Sequence, residues 1–349
     1  MPSHNCAVVS ESLMVTLPKA SSWRNTWPWR IETDPGIYDK AIKWPRISIV
    51  TPSFNQGIYI EETIRSVLLQ NYPFLEYMII DGGSSDNTIE ILNKYDKWIT
   101  YWVSEKDRGQ SHAINKGLRL CSGEIFNWLN SDDFLEPEAL YHVARAYLKN
   151  ESTLSVSGRE KSIYTDYRVS EIHEGTLPRD SVEETLFYGH IDQPATYFKM
   201  ECFNSVGPLN ENLHYMMDSE WWCRFLCKYG LGDFEKIGEI LTNFRLHDKS
   251  KSINYNTPNP NFDRDRNSIQ CSILKSLNKP RWLLQHYDKK ERVFDYENSW
   301  DFELLNESRL LDLFAQKMVD DLRKNKRFLN ALRPRLYSFY QQLQSTLFY

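Results

Sequence analysis

The 349-residue chain has no uninterrupted apolar run of the ~18 residues a membrane-crossing helix needs, so no span is expected. Its N-terminus lacks a basic start followed by an apolar stretch, so no secretory leader is expected. The six cysteines are scattered with no C-x-x-C pair, and Cys223 and Cys227, one helical turn apart, are expected to pack in a core. A reducing, cytoplasmic setting follows as the default. The chain also lacks a basic excess: a net charge of −5 argues against a general nucleic-acid binder, because phosphate binding needs a basic surface. Glycine and proline are sparse, and the composition is that of a globular chain long enough for one or two domains.

What the chain has in plenty is aromatic side chains, 11 Trp and 20 Tyr, which suit stacking on sugars or bases but also fill cores. Residues 1–45 show little periodicity yet hold Trp23, Trp27, Trp29 and Trp44, and read as an irregular arm packed back on the body. From Arg46 a regular alternation sets in. Strands are expected at 47–50, 77–80, 100–104 and 125–129, and helices at 60–68, 87–95, 110–121 and 137–148. The stripe Ile60, Ile64, Val67, Leu68 marks the first helix as amphipathic. Such alternation implies an α/β fold, a mostly parallel central sheet with helices on both faces. The region 151–185 reads as mixed β, 254–260 as a linker, and the remainder as a helical C-terminal extension.

The polar residues that carry chemistry cluster at strand ends, where open α/β sheets bind ligands. The first strand runs into Thr51-Pro52-Ser53-Phe54-Asn55 and the second into Asp81-Gly82-Gly83-Ser84-Ser85-Asp86. Small polar residues there let backbone N–H groups approach a nucleotide, and they serve equally as a plain strand-to-helix loop. In the third loop Lys106 or Arg108 can face a diphosphate or simply solvent. The fourth strand ends in Asn130-Ser131-Asp132-Asp133; adjacent carboxylates repel unless a cation neutralises them, and a hard divalent ion is their natural partner. Downstream, Asp218 and Glu220 open a Trp-rich helix, and their two-residue spacing puts them on different faces. His247 ends a further strand beside a basic, Ser-rich turn.

Taken in order, Val50 to Asn55, Ser66 to Pro73, Asp81 to Thr88, Ala113 to Leu118, Asn130 to Asp133, Asp218 to Trp222 and Phe244 to His247 resemble the family 2 glycosyltransferases of GT-A fold. The resemblance spans about Pro45 to Ser252. It implies a nucleotide-sugar donor, a divalent metal (Mn²⁺ or Mg²⁺) and inversion at the anomeric carbon. On it, Thr51, Pro52, Ser53, Asn55, Asp81, Gly82, Arg108, Asn115 and Asp132 are expected on the donor side. Asp133 and His247 are expected at the metal, and Asp218 as catalytic base. His190, Gln193, Glu220, Trp221 and Trp222 are expected toward the acceptor. Two departures stand out: Gly82 replaces an acidic residue that reads uracil in many members, and Asn130 replaces the first Asp of the metal motif.

Three parts are thus expected: an arm (1–45), a GT-A domain (46–253, with a nucleotide-sugar half to 135 and an acceptor half after it) and a helical extension (254–349). The acceptor is a glycan, a lipid-linked species or a small molecule. From Arg323 to Tyr349 the chain has six basic residues and no acidic one. This tail reads either as a peripheral contact with the anionic inner face of the cell membrane or as a packing arm or homodimer contact. A sugar-1-phosphate nucleotidyltransferase and a non-catalytic sugar-binding module are the competing readings. The first would want a Gly-rich loop with Arg and Lys after the first strand, and the second would not need Asp132, Asp133 and Asp218 intact.

Overall fold

The computed structural model describes residues 12–20, 22, 24–251, 260–277, 281–288, 300 and 302–324. A short helix α1 (Leu13–Thr16) precedes the alternating body. The body runs β1 (Ile47–Ser53), α2 (Ile60–Leu68), β2 (Leu75–Asp81), α3 (Thr88–Tyr95), β3 (Tyr101–Ser104), α4 (Gln110–Leu118), β4 (Ile125–Trp128), β5 (Phe134–Leu135) and α5 (Ala139–Lys149). There follow β6 (Ser155–Tyr164), β7 (Val169–His173), α6 (Val182–Tyr188), β8 (Thr196–Lys199), α7 (Met200–Val206), α8 (Met217–Tyr229) and β9 (Phe234–Leu246). Three helices, α9 (Pro260–Ser276), α10 (Arg281–Asp288) and α11 (Glu307–Lys324), close the described chain.

All nine strands belong to one sheet, in the order β3-β2-β1-β4-β8-β6-β9-β5, with β7 paired to β6. The sheet is mixed, and its longer ladders are parallel. Parallel pairing joins β1 to β2 and β4, β2 to β3, and β6 to β9. The pairs β4–β8, β5–β9, β6–β7 and β6–β8 are antiparallel. The parallel part coincides with the strongly alternating sequence of residues 47–128, where each strand returns through a helix. Beyond it, β6 and β7 form a hairpin, while the parallel pair β6–β9 is joined through β8 and helices α6 to α8.

The continuous apolar runs of the first strands are explained by burial on both faces. Ile47 and Ile49 face a core shared with α2, α3 and α5, whereas Val50, Phe126 and Trp128 face a second core built from α4, α7, α8 and α9–α11. The arm closes the first core with Leu17, Tyr38 and Trp44, and Trp27 donates its indole N–H to the Leu135 carbonyl at 2.7 Å. Trp29 is buried too, while Trp23 lies outside the described residues. So do 252–259, which hold nearly all of the expected linker, and everything after Lys324, which includes most of the basic tail. No described helix is long and apolar enough to cross a membrane.

Candidate active site

Register brings the strand ends together: Ser53 lies opposite Asp81 on β2, and Asp81 opposite Ser104 on β3. Over these ends opens a cleft of about 1150 Å³, large enough for a nucleotide-sugar together with part of an acceptor. Pro52, Ser53, Phe54, Asp107, Gln110, Asn130, Asp132, His190, Asp218 and Lys251 are among its lining residues.

The adjacent carboxylates of the Asn130–Asp133 turn point in opposite directions. Asp132 faces the cleft, and its Oδ2 lies 2.9 Å from His247 Nε2. The His247 ring is held at 4.9 Å from the Tyr59 ring. Its Nδ1 accepts the Lys249 backbone N–H at 3.3 Å, so Nε2 bears the proton that Asp132 accepts. Asp133 instead turns under the sheet, fully buried. Its Oδ1 accepts the Arg245 backbone N–H at 2.9 Å and its Oδ2 the Asn130 amide at 3.3 Å. Burial, and next the charge of Asp132, push the Asp133 carboxyl well above the usual aspartate range. The expected ligand role of Asp133 therefore does not fit: its oxygens brace the turn, and Asp132 presents the free face.

That bracing extends outward. Arg245 also donates from Nε to the Asp132 carbonyl at 2.9 Å and from Nη2 to Glu62 at 2.7 Å, and both ion-pair side chains are buried. Thr63 on α2 donates its hydroxyl toward the Ser131 and Asp133 carbonyls at 3.0 and 2.6 Å. On the cleft side, Asn130 Oδ1 accepts from Gln110, whose Oε1 accepts from Lys251 at 2.8 Å. Lys251 Nζ donates as well to the His214 carbonyl at 2.8 Å. Burial pulls the Lys251 ammonium below its ordinary pKa, against the charges of Asp218, Asp265 and Asp132. These neighbours set Lys251 among the carboxylates of Asp132, Asp218 and Asp265.

Asp218 sits in the first turn of α8, where a carboxylate is favoured by the helix dipole. Its Oδ1 accepts the Ser219 N–H at 2.6 Å. Burial raises its carboxyl above the ordinary value, with the Ser219 bonds and the charge of nearby His190 opposing. The loop leading into α8 is held from an unexpected direction. Asp265 on α9, itself buried, accepts the backbone N–H groups of His214, Tyr215 and Met216 at 3.2, 2.8 and 3.1 Å.

Several expected residues prove to be scaffolding. Glu220 is buried in a two-pronged ion pair with Arg224, at 2.8 and 2.9 Å, and Arg224 continues to the Val206 and Pro208 carbonyls. Trp221 stacks on Phe203 at 3.9 Å between ring centroids and donates to the Gly207 carbonyl, so it is core rather than acceptor platform. Trp222 is nearly buried but does reach the cleft wall. Asn115 bonds both to Leu209 and to Glu211, tying α4 to the loop before α8, away from the cleft. Arg108 is exposed and paired with Glu211, also outside the cleft. Gln193 donates its amide to Asn127 and Trp128, both at 2.8 Å.

On the donor side, Thr51 is buried against Tyr77, while Pro52 and Ser53 line the cleft. Asp81 is wholly buried and shapes its loop by accepting from Gly83, Ser84 and Ser104. Asn55, with a left-handed φ of 52°, clasps that loop by accepting from Ser85 N–H at 2.8 Å. Gly82 has a chemical consequence: a Cβ there would lie 2.8 Å from Asp107 Oδ2. The place left by the missing side chain is thus occupied by a carboxylate from the loop after β3. Gln110, Asp107, Lys251 and Asp265 escaped the sequence reading. The two aspartates and Gln110 flank helix starts or sit on helix faces, where polar side chains ordinarily face water.

Residues 48–206 match the family described as Glycosyl transferase family 2. Chondroitin synthase of Pasteurella multocida (strain Pm70) is 27% identical over 75% of this chain, which spans only 27% of that synthase. Hyaluronan synthase of Pasteurella multocida is 28% identical over 64% of the chain and 23% of its own length. An uncharacterized glycosyltransferase of Haemophilus influenzae is 26% identical over 71% of the chain and 83% of its own length. Among solved structures, S. aureus TarS 1-349 in complex with UDP-GlcNAc superposes with a TM-score of 0.51 at 18% identity, over 70% of this chain and 69% of that one. The mannosyltransferase PcManGT of Pyrobaculum calidifontis, in complex with GDP-Man and Mn²⁺, gives a TM-score of 0.50 at 16% identity, over 92% and 88%. At such identities these likenesses establish the GT-A fold alone. Residues 48–206 of this chain thus form a Glycosyl transferase family 2 domain, and the chain spans about a quarter of the length of the two synthases it matches.

Proposed function

We propose that this glycosyltransferase is inverting and divalent-metal-dependent, and moves a sugar from a UDP-sugar to a hydroxyl of a glycan or glycoconjugate acceptor. The observation that carries the reading is Asp132, backed by the buried His247, in the same cleft as Asp218, the only carboxylate of α8 left facing it. The pair fits a metal. Adjacent ligands of an octahedral ion with bonds of about 2.1 Å lie about 3 Å apart, and Asp132 Oδ2 and His247 Nε2 are 2.9 Å apart. Binding at Nε2 would displace its proton toward Nδ1, loosening the Lys249 contact. Among the described residues no cluster of three His, Cys, Asp or Glu side chains could hold an ion. Two protein ligands leave room for diphosphate oxygens, as is usual for Mg²⁺-like ions. When bound, the ion neutralises charge that gathers on the departing diphosphate.

The protein's own groups supply the rest. Asp218 accepts the proton of the acceptor hydroxyl as that oxygen attacks, and its raised pKa makes it a better base than an ordinary aspartate. One displacement with one base inverts the anomeric centre. Lys251 adds a fixed positive charge beside the diphosphate side. Phe54, more than half exposed at the cleft, offers a face to the nucleobase, and Asp107 an acceptor for a base N–H. We retain the three-part organisation with its boundaries near 45 and 253, and a cytoplasmic or membrane-peripheral setting, within the same proposal.

A thermal-shift screen of UDP-, GDP- and dTDP-sugars with and without Mn²⁺ tests it, since a ligand stabilises the folded state according to affinity. The expected result is the largest shift with a UDP-sugar, lost without the ion. A larger shift with a GDP-sugar would move the donor assignment, and shifts indifferent to Mn²⁺ would remove the metal.

A further inference from the structure

The first turn of α8 carries Asp218, yet α8 begins without a cap of its own: Met216, at its N-cap, makes no side-chain bond to the helix. The chain enters it through an irregular stretch, residues 207–216. Backbone N–H groups at such an entry need partners before the direction of the helix is fixed. The Trp221 stack and the Glu220–Arg224 pair hold other faces of α8. On the facing wall of the cleft, His190 pairs with Asp192 at 2.6 Å, near the buried Glu160 of β6, and its charge reaches the Asp218 side chain. The backbone that leads to Asp218 is fixed from α9.

Helical spacing sets Asn261, Phe262 and Asp265 on one face of α9, and all three meet the segment His214–Met216. Asp265 Oδ2 alone accepts the N–H groups of His214, Tyr215 and Met216, at 3.2, 2.8 and 3.1 Å. Asn261 donates its amide to the Tyr215 hydroxyl at 3.2 Å, and the Phe262 ring meets the Tyr215 ring at 5.0 Å. From the body of the fold, Lys251 reaches the His214 carbonyl at 2.8 Å and Ser111 the Leu213 carbonyl at 3.3 Å. Hydrogen bonds to a carboxylate are the stronger kind, and at 1% exposure Asp265 is shielded from competing water. Asp265 is not among the residues that line the cleft, whereas His214, Tyr215, Met216 and Met217 are. From this geometry we infer that Asp265 is a positioning residue of the reaction, which sets the place of Asp218 by fixing the three amides that lead into α8. The inference rests on the reading of Asp218 as the base. It gives α9, which lies outside the family match, a share in the chemistry. A base misplaced by about an ångström can cost about 100-fold in rate.

The test uses the full chain and measures UDP release, with Mn²⁺ and with water as acceptor, from the UDP-sugar that gives the largest thermal shift. Rates are compared below the unfolding midpoint of every variant. Asp265→Ala removes the acceptor atom and should slow release by about ten-fold or more, while the donor-induced shift stays as in the wild type. Asp265→Glu keeps the charge but moves the oxygens by one methylene; it should also slow release, so the result does not depend on the alanine variant folding. Asp265→Asn keeps an oxygen that can accept the same three N–H groups and should restore the rate to within about three-fold of the wild type. Wild-type rates in folded Asp265→Ala or Asp265→Glu would overturn the inference, as would an asparagine variant no faster than the glutamate one. Hydrogen exchange gives a readout independent of turnover: the amides of His214, Tyr215 and Met216 should be protected in the wild type, and fast exchange there would overturn the inference as well. Absence of both the Mn²⁺-dependent shift and UDP release in the wild type would instead defeat the transferase reading, so the two failures are distinguishable.

Discussion

The two walls of the cleft are built by opposite rules. Around Asp132 the turn is braced by Asp133, Arg245, Glu62, Thr63 and Gln110 from three sides, with only Glu62 Oε1 of these groups left without a partner among the described residues. On the other wall, among the described residues, one oxygen of the buried Asp192 has none. Chemistry needs its groups held before the substrate arrives, because misplacement by an ångström is expensive. Recognition can leave groups open for the substrate to complete. The braced wall is thus where substitution should harm the reaction or the fold, and the open wall where it should change choice of acceptor.

The largest effect is expected at the base. Asp218→Asn should lower turnover by about 10²- to 10⁴-fold, the range for loss of a general base, and leave the Mn²⁺-dependent donor shift intact; substantial residual transfer would shift the role elsewhere. Next come the adjacent aspartates, which should separate cleanly. Asp132→Ala should abolish the Mn²⁺ dependence of donor binding with little change in denaturant midpoint. Asp133→Ala should cost about 1–3 kcal/mol of stability, since it strands the Arg245 N–H; urea titration of both variants decides. The reverse pattern would restore Asp133 as the ligand and erase the contrast between the walls.

A pH profile sharpens the same contrast. Because burial raises the Asp218 carboxyl, the folded enzyme holds that proton to a higher pH than a free aspartate. Activity should therefore fall, as pH drops, at a value above the ~4 of an ordinary aspartate. An acidic limb at or below that value would contradict the burial of the base. The smallest effect is expected at Arg108. Its exposed pairing with Glu211 is worth roughly 0–1 kcal/mol, and Arg108→Ala should leave donor affinity unchanged by thermal shift.

The strand-helix alternation to residue 149 was legible because β1, β2 and β4 are buried on both faces and the helices carry apolar stripes, so the apolar periods are strong. The mixed pairing of β5 to β9 was not, since its signal lies in partners distant along the chain. Within the site, Asp218 could be read from its place at a helix start. The Glu220–Arg224 pair was readable as well, since i and i+4 meet on a helix. By the same count residue 222, not 221, shares the face of 218, which is where the cleft lies. Asp132 and Asp133 could not be told apart, because the turn that separates them depends on Arg245 and Thr63. Glu160 was hidden inside Arg159-Glu160-Lys161, a charged run that reads as solvated until β7 and β9 cover it.

Asp265 changes what counts as the smallest working piece of this protein. The family match ends at residue 206, before Asp218, and three backbone groups leading into the helix of Asp218 are gripped from the C-terminal extension. A chimera cut after Lys251 would keep Asp132, Asp218, His247 and Lys251 and still lack the hand that steadies the helix of Asp218. Grafting acceptor preference from one such enzyme to another should respect that grip: exchange the β6–β7 wall, and keep α8 and α9 from the same parent.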